Sequence, residues 1–309
     1  MFETFNITLS QCLVLFVFIA IGYLMAKTKK IPENYSIGIS NLLVYIFAPC
    51  LTFGTLANNF KADVLGDKVV TLVSSLVLLL ILALLAFIFA KLFSSNKNEY
   101  DIYVYSFMFP NSGYIGYPLV LAIFGEQTLF EFMIFCIPFL ILIFTFGIYT
   151  LNPNKLLNLK NLVNPITVSL ILGMIVGVTN INLPGFVVSI VDSGGVCMAP
   201  AAMLLTGMVF AANDLKSMCA KVKIYIACII KLLIIPILGI ILLNLLGIDK
   251  EIALLIIVML SLPTGLNSII FPEAYGGDSC TGAQLCSVST IMCIITIPIV
   301  ITLFEKIFI

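Results

Sequence analysis

Long apolar blocks alternate with short polar interruptions along this chain. Ten apolar segments can be marked, at roughly 7–27, 35–57, 67–93, 101–124, 129–150, 163–180, 186–212, 221–246, 250–275 and 280–307. A bilayer core about 30 Å thick takes roughly 20 helical residues. Stretches such as Val69–Phe93 and Ile224–Leu246 reach that length. The alternating ten-residue segments of an outer-membrane barrel are absent. The pattern predicts an all-α polytopic membrane protein with ten transmembrane helices, short connections and no soluble domain. The N-terminal run MFETFNITLSQCLVLFVFIAIGYLMAKTKK is expected to be the first span, not a cleaved signal. Its lysines follow the apolar stretch, and no small-residue cleavage site ends it.

Composition sharpens this picture. Of the 309 residues, 61% are hydrophobic, and mean hydropathy is +1.21. The 15 basic residues, all lysine, balance 15 acidic ones, so there is no basic tail and no nucleic-acid signal. The chain has no histidine, which removes imidazole as base, metal ligand or proton relay. Its nine cysteines are scattered, mostly within apolar segments, and no C-x-x-C occurs. They read as small buried hydrophobes, with neither a metal site nor a cofactor implied.

Lysine placement predicts orientation. With the N-terminus outside, the cytoplasmic loops hold Lys27, Lys29, Lys30, Lys91, Lys97, Lys155, Lys160, Lys216, Lys221 and Lys223. The external side holds Lys61, Lys68, Lys250 and Lys306, and Lys231 falls inside a span. The expected place is the cytoplasmic membrane, with both termini external.

The two halves resemble each other. APCLTFGTLANN at 48–59 and APAAMLLTGMVFAAND at 199–214 place their Ala-Pro pairs 151 residues apart. PNSGYIGYPLVLAIFGE at 110–126 and PTGLNSIIFPEAYGGD at 263–278 place Pro110 and Pro263 153 apart, Pro118 and Pro272 154 apart, and Gly125 and Gly277 152 apart. The expected repeats are 1–150 and 163–309, joined by a connector at 151–162. With five spans in each, the second half enters the membrane from the opposite side, which gives inverted repeats.

Both PNSGYIGYP and PTGLNSIIFP interrupt a span near its middle. A broken helix at that depth is tolerated only where protein or a water-filled cavity satisfies the freed backbone. Pro110 and Pro263 lack an N–H and clash with the preceding turn, while Gly113, Gly116 and Gly265 permit non-helical dihedrals and close approach. Related by the repeat, the two breaks should cross in mid-membrane. Each then exposes a half-helix N-terminus carrying roughly half a positive charge, and together they suit a small anion. The residues expected to contact it are Asn111, Ser112, Gly113, Tyr114, Thr264, Gly265, Asn267 and Ser268, with Pro110, Pro118, Pro263 and Pro272 shaping the breaks.

VYIFAPCLTFGTLA, PNSGYIGYPL and LPTGLNSIIFPEAYGGD, set in this ten-span repeat, resemble the auxin efflux carrier family, whose bacterial members are often described as malate or other organic-acid permeases. The resemblance covers nearly the whole chain. It implies a fold similar to bile-acid symporters and sodium/proton antiporters, with helices 4 and 9 crossing near Pro110 and Pro263. It also implies carboxylate transport with Asn111 and Asn267 as polar contacts, and dimers joined through scaffold helices. The scaffold would be spans 1, 2, 6 and 7, and the moving part spans 3–5 and 8–10. The connector LNPNKLLNLKNLVNP is short, unlike the long cytoplasmic loop of many plant members.

Charged residues within spans are the candidates for coupling to a proton or sodium ion. Glu273 follows Pro272 and would carry a proton if buried, or simply be hydrated near the interface. Lys231 would snorkel to the cytoplasmic headgroups, or else attract the anion. Asp192 would cap a late helix start, with ion coupling as the alternative. Asp67 reads as a helix-start acid, and Glu126 and Glu131 as solvated loop acids. A membrane-embedded enzyme would need a nucleophile with its base, an aspartate pair or a metal, and the sequence offers none. A channel or sensor on the same fold is the remaining alternative. The expected partners are a small organic anion, a coupling ion and lipid.

Overall fold

The computed structural model describes residues 2–32, 35–62, 66, 68–154, 156–212 and 222–308. Asp67, Lys155, Lys216, Lys221 and the end of the 199–214 motif lie outside the described residues.

The described residues form twelve helices of at least two turns and no strand: α1 (Phe2–Lys27), α2 (Tyr35–Asn59), α3 (Lys68–Phe93), α4 (Lys97–Met108), α5 (Ser112–Phe135), α6 (Ile137–Leu151), α7 (Pro165–Thr179), α8 (Gly185–Ala212), α9 (Val222–Leu245), α10 (Lys250–Ser261), α11 (Asn267–Ala274) and α12 (Cys280–Ile307). Seven of them, α1, α2, α3, α5, α8, α9 and α12, are long and apolar enough to cross a membrane.

Local chemistry fixes several helix ends. Asn164 caps α7, its Oδ1 accepting from the N–H groups of Ile166 and Thr167, both at 3.1 Å, and Pro165 stands at the first helical position. Asp249 caps α10 the same way, accepting from Glu251 at 2.9 Å. At α4, Asn96 accepts from Glu99 N–H at 2.9 Å and the Glu99 carboxylate accepts from Ser95 N–H at 2.7 Å.

The outer faces of these helices are apolar. On α3, Leu80 is 71% and Leu84 62% exposed, and similar residues stud α1, α8 and α9. A surface so continuously apolar needs lipid as its solvent. The inner core centres on α4, α10 and α12, where Ile102, Phe107, Met259 and Cys286 are buried. A smaller cluster, including Leu56, Phe130 and Leu170, joins α2, α5 and α7.

Two tight seams stand out. α1 runs along the second part of α8, and α2 along α7. In the first seam, a Cβ on Gly207 would lie 2.0 Å from the Ile19 carbonyl oxygen, and one on Gly22 2.2 Å from that of Leu204. Backbones that close require a residue without a side chain, the packing mode of helices in lipid.

The interruptions read from the sequence take definite form here. The span drawn at 101–124 is two helices, α4 and the first arm of α5, separated at Phe109–Asn111. The span drawn at 250–275 is likewise α10 and α11, separated at Leu262–Leu266. The loop placed at 125–128 is reduced to a sharp kink that joins two helical arms of α5 at Gly125, with φ 83° and ψ −178°, a conformation that glycine alone adopts cheaply.

Candidate functional site

The two helix interruptions meet. Pro110 and Thr264 form an antiparallel bridge, and the Asn111 amide donates to the Pro263 carbonyl at 2.9 Å. Pro110 has no N–H of its own, and its carbonyl accepts from Ser112 N–H at 2.8 Å. Thr264 N–H donates to the Ser289 hydroxyl on α12 at 3.0 Å. These freed backbone groups are thus paired within their own break, with the other break or with α12, as an apolar surrounding demands.

Asn111 caps α5, its Oδ1 accepting from Tyr114 N–H at 3.2 Å. The first turn of α5, Ser112–Gly116, is a π-turn. The side-chain amide nitrogen of Asn111 is buried without a hydrogen-bond partner, in a residue only 3% exposed. Such an orphan donor costs roughly 1–3 kcal/mol, and it stands on the wall of a cavity.

That cavity measures about 280 Å³. One wall is the crossing itself: Pro110, Asn111, Ser112, Gly113 and Tyr114 from the first break, and Gly265, Leu266 and Asn267 from the second. α4 adds Tyr105, and the opposite wall comes from α2, α6, α7 and α8 with Leu43, Val44, Leu140, Ile143, Phe144, Ile166 and Met198. Asn164, the cap of α7 beside the connector, also lines it. Among the described residues no lysine and no carboxylate does. Most polar groups gather at the crossing, Ser40 and Asn164 stand apart from it, and the rest of the cavity is aliphatic and aromatic.

The geometry is tuned by π-turns. Besides Ser112–Gly116, these are Leu43–Phe47 in α2, Ile143–Gly147 in α6 and Ile230–Ile234 in α9. The first three place side chains on the cavity wall. An extra residue in a helical turn re-aims the side chains around it and marks functional positions.

Six residues expected to contact the anion line this cavity: Asn111, Ser112, Gly113, Tyr114, Gly265 and Asn267. Thr264 and Ser268 do not; both are buried behind the crossing, where Ser268 Oγ donates to the Gly282 carbonyl at 3.4 Å. Pro118 opens the α-helical part of α5 and Pro272 sits inside α11, both away from the cavity. Tyr105, Tyr117, Cys136 and Asn164 are additional wall residues. Tyr105 lies beside the Asn267 side chain, and Cys136 beside those of Ser112 and Tyr117. Only the step of five residues from Tyr105 to Pro110 hinted at this in sequence.

The charged candidates separate. Lys231 does not snorkel: it is 6% exposed, and its ammonium donates to the Ser106 carbonyl near the end of α4. The π-turn around Lys231 aims it inward. Glu273 is exposed and accepts from Ser279 Oγ at 3.1 Å. Asp192 caps nothing; it lies in mid-helix on α8 and borders a second recess of about 240 Å³, with Glu126 and Asn58. Glu126 accepts from Asn59 Nδ2 at 3.4 Å. Glu131 is no solvated loop acid, because it pairs with Lys68 at 2.5 Å with both side chains largely buried. Among the described residues no cluster of metal-ligating side chains forms.

A model of the membrane transport protein family matches residues 7–155 and 148–301. An uncharacterized transporter of Methanocaldococcus jannaschii is 24% identical over 131 residues, which is 42% of each chain. An uncharacterized transporter of Schizosaccharomyces pombe is 30% identical over 99 residues, 32% of this chain and 22% of the relative. The chain thus aligns with less than half the length of either curated relative.

Proposed function

Because this chain belongs to the membrane transport protein family, that of the auxin efflux carriers, we propose that it is a secondary carrier for a small organic anion, bound where the two helix breaks cross. The observation that carries this reading is the side-chain amide nitrogen of Asn111, a buried donor without a partner on the cavity wall. A carboxylate oxygen there accepts from Asn111 Nδ2 and faces the positive end of α5. Asn267, beside Tyr105, offers the second polar contact.

The lining favours one kind of anion. With no lysine on the wall among the described residues, the site balances about one negative charge with helix ends and amides. The aliphatic and aromatic remainder suits an apolar body. A monocarboxylate with an apolar or aromatic tail fits better than a dicarboxylate such as malate, whose second charge would meet Leu140, Ile143 and Phe271.

Transport follows by alternating access. In this reading the segments form ten crossings in two inverted five-helix repeats, of which α4–α5 and α10–α11 are the broken members. The 151–154 residue offsets support it. The tight seams of α1 with α8 and α2 with α7 support a rigid scaffold of spans 1, 2, 6 and 7. The cavity adjoins the connector through Asn164, whereas the recess beside Asp192 and Glu126 lies by the Gly125 kink. Lysine placement puts the connector in the cytoplasm and both termini outside, so this conformation faces inward. Rocking the crossing against the scaffold closes the cavity and opens the recess. An anion leaving the cytoplasm is driven outward by about 2.3 kcal/mol per charge per 100 mV, so export can run on the membrane potential.

The test is a thermal-unfolding screen of the purified protein against mono- and dicarboxylates, followed by flux into proteoliposomes. A ligand of the native state raises the midpoint by mass action. Stabilisation by apolar monocarboxylates, with saturable flux of the same compounds, is the expected result. Flux that never saturates favours a channel, and no response to any carboxylate removes the anion reading.

A further inference from the structure

Lys231 is the one charged side chain buried behind the crossing among the described residues. It stands on α9, outside the cavity lining. Its ammonium meets the Ser106 carbonyl, four residues before Pro110, and lies 6.0 Å from the centroid of the Phe107 ring. Cys228 and Cys286 are its other close polar neighbours. Among the described residues no carboxylate pairs with it.

Burying an ammonium without an acid is costly unless something else supplies negative potential. Here the end of α4 supplies it. A helix that stops in mid-membrane leaves carbonyls without intrahelical partners, and its C-terminus carries roughly half a negative charge. The Tyr105 carbonyl is taken by Phe109 N–H at 2.9 Å. The Ser106 carbonyl takes the lysine, and the Ser106 hydroxyl beside it is buried without a partner. In other broken-helix carriers such carbonyl ends hold a soluble cation. The arrangement is one-sided: positions 77–80, which the repeat offset relates to Lys231, are Val77, Leu78, Leu79 and Leu80.

We propose that Lys231 is a tethered cation of the crossing. It fills the cation position at the open end of α4 and offsets the charge of the anion bound on the other face, so that the crossing needs no sodium ion. The inference rests on the crossing being the transport site, and it makes Lys231 a positioning residue that never touches the anion. α4 ends where α5 begins, so a positive charge held at Ser106 also favours an anion at Asn111, across a gap of only a few residues.

The test compares thermal-unfolding midpoints of the full chain in detergent, in sodium, potassium and choline chloride at equal ionic strength, without any carboxylate. The wild type should give one midpoint in all three salts. Lys231→Gln should melt several degrees lower in choline, and sodium or potassium should restore part of the loss saturably, because the two Ser106 oxygens are left for a free ion. Lys231→Arg should stay insensitive to the cation. Lys231→Met serves as a second charge-free variant should the glutamine protein fail to fold. Saturable stabilisation of the wild type by sodium over choline would overturn the proposal, and so would a folded, charge-free variant blind to all three cations. Should neither variant fold, the wild-type comparison decides. A screen in which no carboxylate binds sinks the anion reading alone, since none of these arms contains one.

Discussion

The backbone amide of Asn111 donates to the carbonyl of Pro263 at 2.9 Å, across two breaks that lie 153 residues apart in sequence. One hydrogen bond thus ties the start of α5 to the end of α10. It leaves the Asn111 side chain with two separate duties: its oxygen caps α5, and its nitrogen faces the cavity.

Those duties can be pulled apart. Asn111→Asp keeps the capping oxygen and exchanges the free donor for a negatively charged acceptor. It should retain a near-native melting temperature and lose carboxylate binding and flux. Asn111→Ala loses both duties, so its stability should fall by about 1 kcal/mol as for other lost caps, with flux abolished. Asn267→Ala should abolish flux too. Normal transport by both alanine variants would place the site elsewhere. Proteoliposome uptake of a radiolabelled carboxylate, paired with thermal melts, reads all three.

Two glycines should respond in opposite ways to the same methyl group. At Gly113 an added Cβ meets nothing within 4 Å and points into open space beside the cavity. Gly113→Ala should therefore fold at least as well as the wild type, alanine being favoured over glycine in a helix by roughly 1 kcal/mol. Gly113→Leu should fold and block flux by filling the cavity.

At Gly207 the same methyl group would sit 2.0 Å from the Ile19 oxygen. Gly207→Ala must push α1 and α8 apart, and overpacking of this kind costs about 1–3 kcal/mol or more. The expected outcome is a lower melting temperature and poor recovery from the membrane. Survival at wild-type stability would mean the seam is looser than its backbone spacing indicates.

The acids outside the cavity should separate stability from transport. Glu131→Gln leaves the Lys68 ammonium without its 2.5 Å partner in a site where both are largely buried. A loss of about 1–3 kcal/mol, between the exposed and buried cases, is expected, with flux per folded molecule unchanged. Glu273→Gln removes only an exposed contact with Ser279 and should change neither flux nor its dependence on a proton gradient. Loss of gradient-driven accumulation in this variant would return Glu273 to the coupling role.

The chain's hydropathy and punctuation already determined that it is a helical membrane protein interrupted at Pro110 and Pro263. Length against bilayer thickness and the missing N–H of proline act locally, so they are readable one segment at a time. The repeat offsets paired the two breaks, and the family resemblance pointed within them to Asn111 and Asn267. Only the tertiary structure decided which side of each break faces a cavity. It turned Thr264 and Ser268 inward and brought Tyr105 and Asn164 to the wall. It also settled Lys231, since a lysine's long stem reaches headgroups or a buried carbonyl equally well in sequence. The choice depended on α4 ending beside α9, a contact between residues 125 positions apart that no local pattern encodes.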